Sequence, residues 1–218
     1  MDEGNDPYLS TDDAARRLLA AAPWRRFLVL GDSIAEGMGE PSPGYADLTW
    51  FERVRRVLGV AQPDLELLNL ARRDLRAAAV GSEQLPVGLA FAPDLAVVVA
   101  GGNDVLGRVF DADAVEAELD KIVAGLTGIG ATVVLVTLMD IVRAVPQLAG
   151  GPMERLPILN DRIRAVAQRH DALVLDAFVH PMCGDRDVYS ADFKHPTMRG
   201  HAILATETLR VLATRVHG

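Results

Sequence analysis

The segment "FLVLGDSIAEGMG" (27–39) places one serine, Ser33, beside one aspartate, Asp32, directly after an apolar run. A serine hydroxyl is a poor nucleophile until a base removes its proton, and that base needs a third group to fix its orientation. The same residue types are also typical of an ordinary turn. Whether Ser33 is a nucleophile therefore depends on whether the chain supplies a base and a partner for that base.

Of the five histidines, His195 is the best candidate for the base. It precedes Pro196, a residue typical of the first turn of a helix, and Asp192 lies three residues before it. An Asp-x-x-His turn can bring the carboxylate under the imidazole ring. His201, in contrast, is predicted to lie inside the last helix. Taken alone, His195 is also consistent with a surface cap. Asp192 is likewise consistent with an isolated acid in a loop.

Acyl transfer also requires hydrogen-bond donors that face the oxyanion of the transition state. In "GGND" (101–104), Asn103 supplies a side-chain amide, and Gly102 leaves the approach to it unobstructed. The backbone N–H groups of Ser33 and of the turn 72–74 are further candidates. Asn103 is by itself also consistent with the start of a helix.

The elements that must position these residues are predicted from five short runs rich in Val and Leu. Such runs are typical of strands buried on both faces of a parallel sheet. The predicted strands are 26–31, 65–70, 94–102, 131–138 and 172–178. Between and around them, helical spacing predicts helices at 11–22, 45–58, 75–90, 112–127, 153–169 and 197–215.

The order of these elements predicts an α/β fold with a five-stranded parallel sheet. In open sheets of this class, ligands bind beyond the carboxyl ends of the strands. The polar clusters around Ser33, Asn103 and His195, together with "NLARRD" (69–74), all follow predicted strands. We therefore expect them to meet on one rim of the sheet.

With 218 residues, of which 50% are apolar, the chain is predicted to form a single domain, 1–218. Residues 1–25 are interpreted as an N-terminal helical extension, whose helix is opened by a capping box formed by Ser10 and Asp13. Residues 140–157 contain several Gly and Pro and are interpreted as an insert that could form a lid.

Composition argues against several classes of function. The net charge of −8 and the scattered acidic residues argue against nucleic-acid binding, because a protein that follows phosphates needs a clustered basic face. No apolar run approaches the roughly 18 to 20 residues that span a bilayer, so an integral membrane protein is not expected. The single cysteine, Cys183, cannot form an internal disulfide, and the chain begins without the pattern of a secretion signal. A cytoplasmic location is the resulting expectation, and the oligomeric state is not predicted.

Three segments, "GDSIAEG" (31–37), "GGND" (101–104) and "DFKHP" (192–196), resemble the motif blocks of the SGNH hydrolases, also called the GDSL lipase/esterase superfamily. The resemblance runs from the first strand to the last helix. It implies a flavodoxin-like three-layer α/β/α sandwich, commonly with strand order 2-1-3-4-5, and neither a metal nor an organic cofactor.

The resemblance also implies roles for individual residues. Ser33 would be the nucleophile, His195 the base and Asp192 its partner, while Asn103 would donate to the oxyanion. Gly102 and Asp32 are placed with the oxyanion and substrate-binding residues.

One block departs from the family pattern. The family usually has a glycine a few residues after the Asn of the second strand, and its N–H serves the oxyanion. Here Asp74 occupies that place by spacing, with Arg73 as the alternative. A backbone N–H survives this replacement, but the carboxylate should point away from the oxyanion or pair with Arg72 or Arg73.

The predicted function is hydrolysis of a carboxylic ester or thioester of a small molecule through an acyl-Ser33 intermediate. An acyltransferase that passes the acyl group to an alcohol is an alternative with the same chemistry. A non-catalytic flavodoxin-like module that binds a small molecule is a third reading, although the glycines after Ser33 lack the full spacing of a dinucleotide loop. A metal site built from His195, His201 and Asp192 matches no zinc pattern.

Overall fold

The computed structural model describes residues 1–217. Its centre is one sheet of five strands that all run parallel, in the order β2-β1-β3-β4-β5. The strands are β1 (Arg26–Gly31), β2 (Glu66–Asn69), β3 (Leu95–Val99), β4 (Thr132–Val136) and β5 (Leu173–Leu175). The parallel five-stranded sheet and the strand order 2-1-3-4-5 are confirmed.

The strands form where the apolar runs predicted them, because helices cover both faces of the sheet. Every residue of β3 and nearly every residue of β1 is buried. Three predicted runs were too long at their carboxyl ends, since β3 ends at Val99 and not at 102, β4 at Val136 and not at 138, and β5 at Leu175 and not at 178. The backbone of Leu138 instead makes two hydrogen bonds with the side chain of Asn160, of 2.8 and 3.0 Å.

The helices form the two outer layers of the sandwich. In chain order they are α1 (Asp12–Leu18), α2 (Ser33–Glu36), α3 (Trp50–Ala61), α4 (Ala77–Ala79), α5 (Leu85–Ala90), α6 (Gly102–Val105), α7 (Ala112–Gly128), α8 (Leu156–Arg169) and α9 (Met198–His217). Helices α1, α3 and α9 pack together, and α7 packs on α5 and α8. These two groups make the three-layer α/β/α architecture.

Local hydrogen bonding explains where two helix predictions were wrong. The cap of α1 is Thr11, whose Oγ1 accepts from Ala14 N–H at 3.3 Å, and not Ser10. The helix predicted from residue 45 begins at Trp50, because Thr49 and Glu52 form a capping box there.

The stretch predicted as one helix over 75–90 has three parts. A π-helical turn, Val80–Gln84, separates α4 from α5. Such turns contain one extra residue and are frequent near functional sites. Gln84, whose contacts are described below, is the last residue of this turn.

The N-terminal residues are tied to the last helix by a buried ion pair. Asp6 Oδ2 accepts from Arg199 Nε at 2.8 Å, and both side chains are almost fully buried. Asp6 also accepts from the Tyr45 hydroxyl at 2.7 Å. Within residues 1–217, no helix has the length and apolar character needed to cross a bilayer.

Candidate active site

The carboxyl end of β1 turns sharply to present Ser33. Gly31 has φ +142°, and a Cβ there would lie 1.9 Å from the carbonyl oxygen of Val99, so no side chain fits. Asp32 then caps the short helix α2 by accepting from Ile34 N–H at 3.1 Å. Ser33 is the first residue of that helix, at the rim where a ligand is expected in this class of sheet.

The side chains of Ser33, His195 and Asp192 are joined by two short hydrogen bonds. The Ser33 hydroxyl lies 2.7 Å from His195 Nε2, and His195 Nδ1 lies 2.6 Å from Asp192 Oδ2. Because a carboxylate only accepts, Nδ1 carries the proton and Nε2 is left to accept from the hydroxyl. This arrangement prepares a serine for nucleophilic attack.

Asp192 is held in its ionised form by its own turn. Partial burial opposes ionisation, but hydrogen bonds from Lys194 N–H, the His195 ring and His195 N–H outweigh it and lower the pKa of Asp192 below its usual value. The two backbone bonds are 2.9 and 3.1 Å long. The Asp-x-x-His turn expected from the sequence therefore forms, and it orients the carboxylate as well as the imidazole.

The loop that carries His195 is anchored outside the last helix. Helix α9 begins at Met198, so Pro196 does not lie in its first turn as the sequence suggested. Pro196 instead pairs with Tyr189 in an isolated bridge, and Ser190 N–H donates to the His195 carbonyl at 2.9 Å. Glu40 N–H donates to Ser190 Oγ at 3.1 Å, which fixes the loop against the chain after α2.

The candidate oxyanion donors lie on two neighbouring loops. Asn103 uses one amide hydrogen to donate to the Leu75 carbonyl at 2.9 Å, which leaves the other available. Asp74 adopts a left-handed backbone conformation, φ +64°, which glycine adopts without steric cost. This conformation fits the interpretation of Asp74 as the residue in the glycine position.

The expected partners of the Asp74 carboxylate are engaged elsewhere. Arg72 pairs with Glu83 at 2.5 Å, and Arg73 pairs with Glu36 at 3.3 Å. Within residues 1–217, Asp74 makes no ion pair or side-chain hydrogen bond with the protein. The suggested pairing of Asp74 with Arg72 or Arg73 was therefore wrong, and its carboxylate is free at the surface of the site.

Asp32 is almost completely buried and faces a second acid. Burial raises the pKa of its carboxyl to about 7, a rise that the hydrogen bond from Ile34 N–H opposes and the nearby Asp104 carboxylate reinforces. Gly102 lies against it, since a Cβ at Gly102 would be 3.4 Å from Asp32 Oδ2. Both residues line the cavity, and the bond from Ile34 N–H to the Asp32 carboxyl supports the turn that presents Ser33.

Sequence reasoning missed Gln84, which clamps the residue at the end of β1. Gly31 N–H donates to Gln84 Oε1 at 2.8 Å, and Gln84 Nε2 donates to the Gly31 carbonyl at 2.9 Å. No local pattern signals this contact, because Gln84 lies 53 residues from Gly31 in the sequence.

Glu36 was also missed, and Asn69, which begins the polar cluster 69–74, was given no role. Glu36 accepts from Arg73 N–H at 2.7 Å, and Asn69 Nδ2 donates to the Ala35 carbonyl at 3.0 Å. These bonds tie the loop after β2 to helix α2. Asn69 ends a strand in a polar cluster, which was the one available signal for it.

A cavity of about 330 Å³ opens beside Ser33. One wall is apolar and comes from the chain after β4, namely Leu138, Met139, Ile141, Met153 and Leu156. The predicted insert forms part of this wall as three short 3₁₀ turns between Ile141 and Arg155. Asp74, Asn103 and His195 also line the cavity, so all the candidate side chains border one space.

The His201 side chain is buried in the core. Its Nδ1 accepts from Trp50 N–H at 3.3 Å, and its Nε2 donates to the Met38 carbonyl at 3.2 Å. Burial lowers the pKa of this imidazole to about 4, so it is neutral at ordinary pH. Among residues 1–217, no group of three His, Cys, Asp or Glu side chains is arranged to hold a metal ion.

Several solved structures share this fold. An α/β hydrolase enzyme from the metagenome of Lake Arreo, Spain, is 21% identical, with a TM-score of 0.70 over 86% of this chain and 94% of the other. An acetylxylan esterase from Geobacillus stearothermophilus is 19% identical, with a TM-score of 0.69 over the same shares. A lipase/acylhydrolase from Enterococcus faecalis is 22% identical, with a TM-score of 0.67 over 88% of this chain and 96% of the other.

At these identities the likeness establishes the fold alone. No curated protein is similar enough to the chain to match it. The sequence model of the GDSL-like lipase/acylhydrolase family matches residues 29–203 of this chain. The matched region includes Ser33, Asn103, Asp192 and His195. This match covers most of the chain and agrees with the resemblance of its motif blocks, so the protein belongs to the GDSL-like lipase/acylhydrolase family within the SGNH hydrolase superfamily, a family of enzymes that act on esters.

Proposed function

We propose that this protein is a serine hydrolase that cleaves a carboxylic ester or thioester through an acyl-Ser33 intermediate. The observation that carries the proposal is the hydrogen-bonded series Asp192, His195, Ser33, with distances of 2.6 and 2.7 Å, on the wall of a cavity. Membership of a family that acts on esters supports the same reaction class.

In the first half of the reaction, Ser33 Oγ attacks the carbonyl carbon of the substrate while its proton passes to His195 Nε2. The carbonyl oxygen becomes an oxyanion in a tetrahedral intermediate. The bond from carbon to the alcohol oxygen or thiol sulfur then breaks, and His195 returns the proton to the leaving group. Asp192 stabilises the imidazolium during this exchange.

The oxyanion is stabilised by donors on three loops. We assign this role to the backbone N–H groups of Ser33 and Asp74 and to the second amide hydrogen of Asn103. The bond from Asn103 to the Leu75 carbonyl fixes the amide before the substrate arrives, so little reorganisation is needed during the reaction. Losing one such donor costs about 3 to 4 kcal/mol in other serine hydrolases.

In the second half, water attacks the acyl-Ser33 carbon while His195 accepts a proton from it. Collapse of the second tetrahedral intermediate releases the carboxylic acid and restores the Ser33 hydroxyl. An alcohol that replaces water would yield a new ester by the same steps. Product analysis with and without an added alcohol separates hydrolysis from acyl transfer.

The apolar wall supplies the binding site for the acyl chain. Leu138, Met139 and Ile141 follow β4, which lies two strands from β1 on the side of β3, whereas Ser33 follows β1 itself. Methionine adapts to irregular shapes at small cost, so a wall containing Met139 and Met153 suits unbranched acyl chains of more than one length.

The proposal is tested with short, medium and long acyl p-nitrophenyl esters and with acyl thioesters. Wild-type protein should turn over members of this panel, and Ser33→Ala should lower kcat by at least about a thousandfold. Ser10→Ala, which removes a hydroxyl outside the cavity that bonds to Arg210, is the matched control and should retain the wild-type rate. Substantial turnover by folded Ser33→Ala would rule out the proposed intermediate.

A further inference from the structure

We infer that the Asp74 carboxylate selects esters whose alcohol portion carries a positive charge, an inference that rests on the proposed function. Asp74 lines the cavity beside Ser33 and is exposed there. It sits on the loop after β2, on the opposite side of β1 from the loops after β3 and β4 that supply the apolar wall. The two sides of Ser33 therefore differ in polarity.

This division of the cavity assigns the two parts of an ester to different sides. If the acyl chain lies on the apolar β4 side, the leaving alcohol extends from the carbonyl carbon toward the β2 side. On that side the cavity is lined by Asp74 and by Arg73, whose guanidinium is paired with Glu36. An ammonium group on the alcohol would find an opposite charge at that position.

The Asp74 carboxylate is available to a ligand because no protein cation neutralises it. Both adjacent arginines are engaged, Arg72 with Glu83 and Arg73 with Glu36. Among the described residues 1–217, none forms an ion pair or side-chain hydrogen bond with Asp74. The cavity also lies in a protein of net charge −8, which favours the approach of cations.

The turn holds the Asp74 carboxylate in a defined place. The residue before it is fixed by the bond from Arg73 N–H to Glu36, at 2.7 Å, and the residue after it by the bond from Asn103 to the Leu75 carbonyl, at 2.9 Å. One methylene joins the carboxylate to this fixed backbone. The left-handed φ of +64° is also a conformation that costs most residues free energy but that aspartate tolerates.

Within residues 1–217, Lys194 is the one lysine or arginine that lines the cavity without forming an ion pair. Its ammonium stands at the end of a long flexible stem and can turn into solvent. A fixed carboxylate therefore determines charge preference more strongly than this mobile ammonium. A preference for anionic esters would be the opposite outcome, and it would overturn the inference.

The test compares two esters of the same shape. Butyrylcholine carries a quaternary ammonium, and 3,3-dimethylbutyl butyrate carries a neutral carbon in its place. The ratio of kcat/KM for the two should favour butyrylcholine in the wild type and fall about fivefold in Asp74→Asn, the size expected of one partly exposed ion pair. In the wild type the ratio should also fall as salt is raised from about 20 mM to about 500 mM.

Asp171→Asn is the matched control. Asp171 has a similar left-handed conformation, φ +52°, but precedes β5 at the opposite edge of the sheet. This variant should keep the wild-type ratio. Asp74→Gly, which suits the same backbone conformation, provides a second test if Asp74→Asn folds poorly.

The outcomes distinguish this inference from the proposed function. Suppose that the protein cleaves the neutral ester but that Asp74→Asn and Asp74→Gly leave the ratio of the two kcat/KM values unchanged. That result would overturn the selectivity assigned to Asp74, while ester hydrolysis would still be supported. Wild-type protein that cleaves neither these esters nor the p-nitrophenyl panel would overturn both.

Discussion

His195 and His201 are close in sequence but differ in what surrounds their rings. The His195 ring lies between a carboxylate and a hydroxyl at the cavity, whereas the His201 ring bridges two backbone groups in the core. The first arrangement can exchange a proton with a substrate. In the second arrangement the imidazole ring stays neutral, because burial lowers the pKa of His201 to about 4.

Alanine substitutions should separate these roles. His195→Ala should lower kcat by about a hundred- to ten-thousandfold, because the base is lost, while the melting temperature changes little. His201→Ala should lower the melting temperature, because Trp50 N–H and the Met38 carbonyl lose their buried partner, and should leave kcat close to the wild-type value. Steady-state kinetics and thermal unfolding check both variants, and a reversed pattern would show that the base was wrongly assigned.

Asp32 should make the stability of the protein depend on pH. Its folded pKa of about 7 lies above the value near 4 expected in the unfolded chain, so between these values only the folded state holds the proton. Stability is therefore lost as pH rises through this window. Asp32→Asn cannot ionise and should escape the loss.

The measurement is the free energy of unfolding of wild type and Asp32→Asn by urea at pH 5 and pH 8. The free energy of unfolding of the variant minus that of wild type should be about 2 to 3 kcal/mol larger at pH 8 than at pH 5. Asparagine can still accept the Ile34 N–H bond, so the cap is retained. An equal difference at both pH values would show that Asp32 does not have the raised pKa.

At the scale of elements, the π-helical turn Val80–Gln84 positions the end of β1. It lets Gln84 bond to both backbone groups of Gly31, just before Ser33. Backbone groups at sheet edges and in loops often form hydrogen bonds with water. The N–H and carbonyl groups of Gly31 are buried, so they need partners within the protein. The turn thus links the helical layer to the residue that presents the proposed nucleophile.

Gln84→Leu should therefore impair reaction more than binding. We expect kcat and the rate of fluorophosphonate labelling to fall about tenfold or more, with KM little changed, because misplacing the hydroxyl affects the chemical step. Gln62→Leu is the matched control, since Gln62 also bonds to a backbone carbonyl, that of Ala22, but away from the cavity. A Gln84→Leu protein that is less stable yet reacts at the wild-type rate would make its role purely structural.

The sequence predicted the strands well because burial on both faces leaves a clear apolar signal. One of its errors lies where an apolar residue serves a second purpose. Leu138 extends the run of β4 but lines the cavity, and its backbone pairs with Asn160. The meeting of Ser33, Asn103 and His195 at one rim was predicted because each follows a predicted strand of a parallel sheet.

Other parts of the site could not be predicted from the sequence. The contacts of Gln84 with Gly31 and of Glu36 with Arg73 join residues distant in sequence, and neither leaves a local pattern. The free Asp74 carboxylate depends on where the neighbouring arginines point, which only the folded chain determines.

At the scale of the whole molecule, the buried pair of Asp6 and Arg199 joins the N-terminal segment to α9. Asp6→Ala should destabilise the protein by about 2 kcal/mol, below the roughly 3 to 5 kcal/mol usual for a broken buried pair, because Asp185 and Asp187 still contact Arg199. Asp12→Ala removes only exposed ion pairs and should cost less than about 1 kcal/mol. Urea unfolding of both variants checks this, and equal losses would contradict it.

The most direct test of the account is the site of covalent reaction. Protein treated with a fluorophosphonate should carry one phosphonate group, and peptide mass spectrometry should locate it on Ser33. Labelling should be lost in Ser33→Ala and strongly slowed in His195→Ala, because the hydroxyl needs its base. A phosphonate on a different residue, or no labelling of protein that turns over esters, would contradict the assignment of Ser33 as the nucleophile.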